Sequence, residues 1–117
     1  MEVGTVPDNC LFCRIVAGTL PSQRAYEDDR AVAFADIKPA APVHIVIAPR
    51  RHLASLADLK EEDAELAGHL VWVAAKLGKE LCPAGWRLVA NVGEEGGQTV
   101  GHLHVHLLGG RQLGTLG

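Results

Sequence analysis

The sequence is poor in aromatic residues and contains no long apolar run. Two tryptophans, two phenylalanines and one tyrosine make it 4% aromatic. No stretch approaches the roughly 20 apolar residues of a membrane-spanning helix. The first residues, MEVGTVPDN, lack the basic segment and apolar core of a secretory signal. These absences argue against a membrane protein and against export, so we expect a cytoplasmic location.

Positive charge and cysteine are also scarce. Eleven Lys and Arg stand against fourteen Asp and Glu, a net charge of −3, and the longest basic run is Arg50-Arg51. Nucleic-acid binding relies on clustered basic residues, so we expect no nucleic-acid partner.

The cysteines, Cys10, Cys13 and Cys82, are odd in number in a chain without an export signal. A disulfide scaffold is therefore not expected.

The composition that remains is that of a folded protein. Apolar residues make up 48% of the 117 positions, which argues against disorder. No repeat, low-complexity segment or linker divides the chain. We therefore predict one domain over residues 1–117.

Periodicity and turn residues predict two helices and several short strands. LFCRIVAGTLP predicts a short helix from about residue 10, ended by Gly18. A long helix is predicted from about residue 58 until Pro83, with a capping box formed either by Asp58 and Glu61 or by Ser55 and Asp58. Strands are predicted at RAYEDD, AVAFADI, VHIVIAP, GWRLVANV and the histidine-rich segment. The pattern indicates an α+β fold.

Half of the six histidines lie within five consecutive positions, in GHLHVHLLGG. A period of two is that of a β-strand, which places His102, His104 and His106 on one face, about 7 Å apart. The alternating leucines and valine then face an apolar layer. A solvated polar face and a metal-binding His-x-His pair are the alternatives.

A glycine-rich loop precedes these histidines. Gly96 and Gly97 permit close approach of backbone N–H groups to an anion, and Gln98 and Thr99 add an amide and a hydroxyl. Beside a row of imidazoles, such a loop is a candidate phosphate cradle. Imidazole can attack phosphorus and form a covalent intermediate, so nucleophilic phosphoryl chemistry is favoured over a catalytic metal.

The segment HLHVHLL resembles the signature of the histidine-triad (HIT) family. YEDDRAVAFADI, APVHIVIAPRRH, LVANVGEEGGQTV and LGGRQ are similar to the corresponding segments of the Hint branch, the nucleoside phosphoramidases. The resemblance covers about residues 10 to 112, which implies a core over this range and short flexible termini. It implies a HIT-like fold, with a five-stranded antiparallel sheet, one long and one short helix, and a sheet that continues across a homodimer.

The resemblance implies a role for each triad histidine. His104 would be the nucleophile that takes the nucleoside monophosphoryl group, and His106 would bind the phosphate and support the transition state. His44 would orient the nucleophile's ring, and His102 would be a fixed support behind His104.

The resemblance also implies a nucleotide site. Asp36 would accept hydrogen bonds from both ribose hydroxyls, and Asn91 would reach the phosphate side. The residues implied for the α-phosphate are Gly97, Gln98 and Thr99. Those implied for the purine pocket are Leu11, Phe12, Ile15, Phe34 and Ile37.

Cys10-x-x-Cys13 is a redox motif, half of a metal site, or a pair of packed thiols. A thioredoxin-like βαβ context is absent, and a structural zinc site needs four ligands. Many bacterial HIT proteins that this chain resembles complete such a site with histidines at the positions of His52 and His102. The resemblance thus implies structural zinc at these four residues, whereas catalysis needs no cofactor.

The implied activity is hydrolysis of purine nucleoside phosphoramidates to the nucleoside monophosphate. A dinucleoside polyphosphate hydrolase of the Fhit type is the enzymatic alternative. A non-catalytic nucleotide-binding regulatory protein is the alternative from another class. The expected partners are a purine nucleotide and a second copy of the chain.

Overall fold

The computed structural model describes residues 10–116. The termini that we expected outside the core therefore lie partly outside the described residues. In chain order the helices are α1 (Leu11–Ala17) and α2 (Ala64–Leu81). The strands are β1 (Arg24–Glu27), β2 (Ala31–Ala35), β3 (Val43–Pro49), β4 (Trp86–Val89) and β5 (Val105–Gly109).

The five strands form one antiparallel sheet in the order β1-β2-β3-β5-β4. Strand β5 lies between β3 and β4, with Val46 opposite His106 on one side and Val89 opposite His106 on the other. This interior position places the histidine-containing β5 directly beside β3. The predicted α+β class, five-stranded sheet and two helices are confirmed.

The two faces of the sheet carry separate apolar clusters, because neighbouring residues on a strand point to opposite sides. Ile45 and Ile47 of β3 pack with the alternating Leu103, Val105 and Leu107 against α2. The other face packs against α1 through Val32, Phe34 and Val46. The functional side chains described below lie on the α1 face.

Helix α1 begins and ends as its sequence predicts. The Sγ of Cys10 accepts a hydrogen bond from the backbone N–H of Cys13 at the N-terminus. Gly18 ends the helix in the left-handed region, with φ of 84°, which glycine adopts without steric cost.

The predicted start of the long helix at residue 58 is wrong. Ser55 and Asp58 do form a capping box, but it closes a 3₁₀ turn, Leu56–Asp58. A second turn, Glu61–Asp63, follows, and α2 begins only at Ala64. Local capping signals do not distinguish a single turn from a long helix.

Among the described residues, no helix has the length and apolar character needed to cross a bilayer.

The histidine-rich strand is also shorter than predicted. Strand β5 begins at Val105, so His102 and His104 precede it, although the alternation of buried leucines and valine extends back to Leu103. The backbone N–H of Leu103 donates to the carbonyl of Leu53 rather than to a neighbouring strand. His102 and His104 therefore lie outside the regular strand that contains His106.

Candidate active site and candidate metal centre

A cavity of about 430 Å³ opens on the α1 face of the sheet. Helix α1 and the segment after it form one wall, and β2, β3 and the histidine segment form the other. Its lining residues are Leu11, Phe12, Ile15, Leu20, Pro21, Ser22, Phe34, Ala35, Asp36, Ile37, Val46, Thr99, Val100, His104 and His106. An apolar cavity with a few polar groups at one end is typical of a small-molecule site.

His104 is held by the main chain just before β5. Its Nδ1–H donates to the carbonyl oxygen of His102 at 2.6 Å. Because a nitrogen that faces a carbonyl must carry the proton, the lone pair of a neutral ring lies on Nε2. The ring edge packs on Phe12, with centroids 4.8 Å apart. His104 therefore combines a fixed orientation with an unshared electron pair at the cavity.

His106 receives its orientation from His44. The backbone N–H of Ala40 donates to His44 Nδ1 at 3.0 Å, so the ring proton of neutral His44 lies on Nε2. That proton is donated to His106 Nδ1 at 2.9 Å, which leaves the proton of His106 on its own Nε2. The expectation that His44 orients the ring of His104 is therefore wrong: His44 contacts His106.

Burial keeps both cavity histidines neutral near pH 7. It lowers the pKa of His106 to about 4, with further lowering by the neighbouring His104 and His44. Burial likewise lowers the pKa of His104. One neutral ring then offers a lone pair and the adjacent one offers an N–H, which suits nucleophilic attack beside a hydrogen-bond donor.

Asp36 lies at the polar end of the cavity, directly after β2. One carboxylate oxygen accepts the backbone N–H of Lys38 at 2.8 Å. The other lies 3.5 Å from His44 Nε2. The side chain is 24% exposed, so its second oxygen can still accept from a ligand.

The glycine-rich loop contributes less to this cavity than expected. Only Thr99 of the four loop residues singled out in the sequence lines it. The amide of Gln98 closes the loop instead, with its oxygen accepting from Gly93 N and its nitrogen donating to Ala54 O. Gly97 and Gln98 line a separate surface cavity.

Asn91 also forms a hydrogen bond within this loop. Its side-chain amide donates to the carbonyl of Gly96 at 2.7 Å, and Asn91 does not line the nucleotide-sized cavity. In the conformation seen here, Asn91 and Gln98 hold the shape of the loop that carries Thr99.

Behind the cavity, Cys10, Cys13, His52 and His102 converge. The two sulfur atoms lie 3.1–3.5 Å from the two Nδ1 atoms, which are themselves 3.2 Å apart. The four atoms lie within 4.8 Å of one another, and only His52 is partly exposed. Three segments far apart in sequence thus present four ligand atoms to one point.

This donor set fits a tetrahedral metal site. Zinc bonds of about 2.3 Å to sulfur and 2.0–2.1 Å to nitrogen give ligand separations of about 3.3–3.6 Å, close to those seen. His102 is buried completely, and its Nε2–H donates to Pro49 O at 2.9 Å, so its Nδ1 faces the cysteines without a proton. Burial raises the pKa of Cys13 to about 12, and a cation would offset this by favouring the thiolate.

Residues 9–115 match the protein family described as "Scavenger mRNA decapping enzyme C-term binding". A HIT-like protein of Synechococcus elongatus is 44% identical over 107 residues, which cover 91% of this chain and 94% of that protein. This chain belongs to the histidine-triad family.

Solved structures of HIT proteins have the same fold. A HIT family hydrolase from Clostridium thermocellum is 42% identical, with a TM-score of 0.90 and coverage of 95% of this chain and 98% of its own. A histidine triad protein from Clostridium difficile is 39% identical, with a TM-score of 0.91 and full coverage of both chains. The HIT-like fold expected from the resemblance is confirmed.

The cavity of this HIT protein also uses residues that the sequence did not single out: Leu20, Pro21, Ser22, Ala35, Val46 and Val100. Val46 has a sequence signal, because it alternates with His44 on β3. The segment 20–22 has none, since it follows the αL cap in irregular backbone. Among the described residues, the Ser22 Oγ is the buried side-chain oxygen that lacks a hydrogen-bond partner.

Proposed function

We propose that this HIT protein hydrolyses purine nucleoside phosphoramidates to the nucleoside monophosphate through a nucleotidyl-His104 intermediate. The observation that carries the proposal is the hydrogen bond from His104 Nδ1 to the His102 carbonyl. It leaves the lone pair of a buried, neutral imidazole on Nε2, in a ring that lines a cavity of about 430 Å³. The relatives described as HIT family hydrolases support a hydrolytic activity.

In the first step, His104 Nε2 attacks the phosphorus atom and the P–N bond breaks. The departing nitrogen takes a proton from solvent and leaves as an amine. His106 Nε2–H donates a hydrogen bond to the phosphoryl group, where negative charge develops. In the second step, water attacks phosphorus and releases a proton to solvent, the bond to His104 breaks, and the nucleoside monophosphate is released with the imidazole restored.

The lining of the cavity supports the choice of a purine nucleoside as the bound group. Phe12 and Phe34 meet edge to face with centroids 5.3 Å apart and form an apolar wall for a base. In this proposal Asp36, which lines the same cavity, accepts both ribose hydroxyls. Thr99 and His104 also line this cavity, and in this proposal the Thr99 hydroxyl contacts the phosphate.

Substrate comparison tests the activity. We expect the purified chain to release AMP from an adenosine phosphoramidate with a kcat/KM at least about tenfold above that for a dinucleoside polyphosphate. The reverse ranking would favour the Fhit-type alternative. AMP binding without turnover of either substrate would favour a nucleotide-binding regulatory protein. A pyrimidine phosphoramidate is the control for base selection.

We further propose that Cys10, Cys13, His52 and His102 bind one structural zinc ion. The ion would link α1, the segment after β3 and the start of the histidine segment, and it takes no part in the reaction. Metal analysis of protein purified without chelators should give about one zinc per chain. Cys82→Ser, which changes a buried thiol outside the cluster, is the control.

We also propose a homodimer. Strand β4 ends the sheet, so one edge of its backbone is open to pairing. Trp86 and Leu88, on alternate positions of β4, are each 37% exposed, and Leu81 at the end of α2 is 44% exposed. Pairing of two β4 strands would cover this apolar surface and continue the sheet. Light scattering should give a dimer mass, and Leu88→Lys should give the monomer.

A further inference from the structure

The end of strand β5 turns sharply onto the loop between β2 and β3. Gly110 has φ of 91°, and a Cβ at this position would lie 2.9 Å from the Cβ of Pro42. Only glycine fits both the conformation and the close approach. The turn places Arg111 over the loop, where its Nη2 donates to the carbonyl of Ala40 at 3.2 Å.

Ala40 connects this guanidinium to the cavity. Its backbone N–H donates to His44 Nδ1, and His44 Nε2 donates to His106 Nδ1. Pro39 and Pro42 have no N–H, so few donors are available in this loop. Three consecutive hydrogen bonds therefore join Arg111 to the ring that presents its Nε2–H to the phosphoryl group.

We propose that Arg111 is a positioning residue, which holds Ala40 where its N–H fixes the tautomer of His44. The inference rests on the proposed function, because the proton on His106 Nε2 is the one donated in a hydrogen bond to the phosphoryl group. Without the N–H of Ala40, His44 is free to place its proton on Nδ1 or to turn Nε2 toward Asp36, 3.5 Å away. His106 then loses the donor that defines its own tautomer.

Arg87 provides a matched control. It lines the same surface cavity as Arg111, and its Nη2 donates to a carbonyl in the C-terminal segment, that of Gly114, at 2.6 Å. Arg87→Gln removes the same charge and a similar hydrogen bond, but Arg87 makes no hydrogen bond to the Ala40 loop.

The kinetic test compares Arg111→Gln, Arg111→Lys and Arg87→Gln on an adenosine phosphoramidate. We expect Arg111→Gln to lower kcat by about ten- to a hundredfold with KM within about twofold, since a small misplacement of a reacting group has effects of this size. Arg111→Lys should recover part of the loss, and Arg87→Gln should match wild type. Equal losses in Arg111→Gln and Arg87→Gln would overturn the proposal.

The tautomer is measured directly by ¹⁵N NMR of the histidine rings. Wild type should show His44 and His106 protonated at Nε2, and Arg111→Gln should show His44 with protonation at Nδ1. This readout remains decisive if the wild-type chain does not cleave phosphoramidates. Unchanged tautomers in folded Arg111→Gln would overturn the proposal. If that variant does not fold, Ala40→Pro removes the Ala40 N–H that Arg111 is proposed to position, and it should give the same spectral change. Unchanged tautomers in Ala40→Pro would also overturn the proposal.

Discussion

His102 and His104 are two residues apart, both are buried, and a backbone carbonyl holds each ring, yet they belong to different sites. His102 donates its Nε2–H to Pro49, whereas His104 donates its Nδ1–H to His102. The free nitrogen is therefore Nδ1 in one ring and Nε2 in the other. The first faces two cysteines and a histidine, and the second belongs to a ring that lines the cavity.

The difference shows that the backbone, rather than the residue type, assigns a histidine to metal binding or to nucleophilic attack. A carbonyl that accepts one ring N–H determines which lone pair the ring presents. The two sites share the short segment from 102 to 104, so the backbone that supports one also aligns the other. The first prediction below perturbs the catalytic site and also measures the metal site, and the later ones test each site or the surrounding fold separately.

Removal of the nucleophile should have the largest effect. We expect His104→Ala to lower the rate of AMP release by about 10⁴-fold or more, because the covalent route is lost. AMP affinity and zinc content should stay near wild type, since the metal ligands are unchanged. Steady-state kinetics, calorimetry and metal analysis measure the three quantities. A fall in zinc content to near zero would contradict the separation of the sites.

Loss of a metal ligand should affect zinc binding and stability. Cys13→Ser should abolish zinc binding and lower the free energy of unfolding. The expected loss is about 4 kcal/mol at free zinc a thousandfold above its Kd. Thermal unfolding with and without added zinc measures this, and Cys82→Ser should retain the zinc response. Identical unfolding of Cys13→Ser and wild type in the presence of zinc would mean that these residues are packed thiols.

Protonation of His106 should remove activity at low pH. Its pKa is lowered to about 4, so the ring is neutral above this value and keeps the hydrogen bond from His44. As pH falls through about 4, a proton on Nδ1 breaks that bond, and the rate should fall. The acid limb that arises from His106 should therefore lie well below the ordinary histidine value. An acid limb centred near 6.5, the ordinary histidine value, would contradict the burial effect.

A polar cluster at the turn between β1 and β2 provides a smaller effect. The Asp28 carboxylate accepts hydrogen bonds from the side chains of Tyr26 and His69 and from two backbone N–H groups of the β1–β2 turn. Burial alone would raise the pKa of Asp28, but these hydrogen bonds together lower it well below its usual range. Asp28→Asn should cost about 1–3 kcal/mol of stability. Zinc content and kcat should not change.

The smallest effect is expected at the cavity wall. The Ser22 Oγ is buried without a hydrogen-bond partner among the described residues, so Ser22→Ala should leave stability unchanged or raise it by up to about 1 kcal/mol. Denaturant unfolding of the ligand-free protein measures the change. A loss above 1 kcal/mol would indicate a hydrogen bond that forms in solution.

The sequence predicts the sheet well because its signal is local. Alternation along VHIVIAP and LHVHLL identifies β3 and β5 and separates the two faces correctly. The late start of α2 could not be predicted, since Ser55 and Asp58 make the same capping contacts around a single 3₁₀ turn.

The pairing of ring nitrogens is also beyond sequence reasoning. His44 contacts His106 because β3 and β5 are neighbours in the sheet, with His44 opposite Leu108 and Val46 opposite His106. Sequence identifies the residue types, but the choice between His104 and His106 depends on strand register. Likewise, Gln98 suits a phosphate contact by composition, while its amide is used within its own loop.

The stereochemistry at phosphorus tests most directly whether His104 forms a covalent intermediate. The substrate is an adenosine phosphoramidate made chiral at phosphorus by sulfur and isotopic oxygen, hydrolysed in labelled water. Attack by His104 followed by attack of water gives two in-line displacements, so the account predicts overall retention of configuration. Inversion would show that water attacks phosphorus directly, and it would contradict the role assigned to His104.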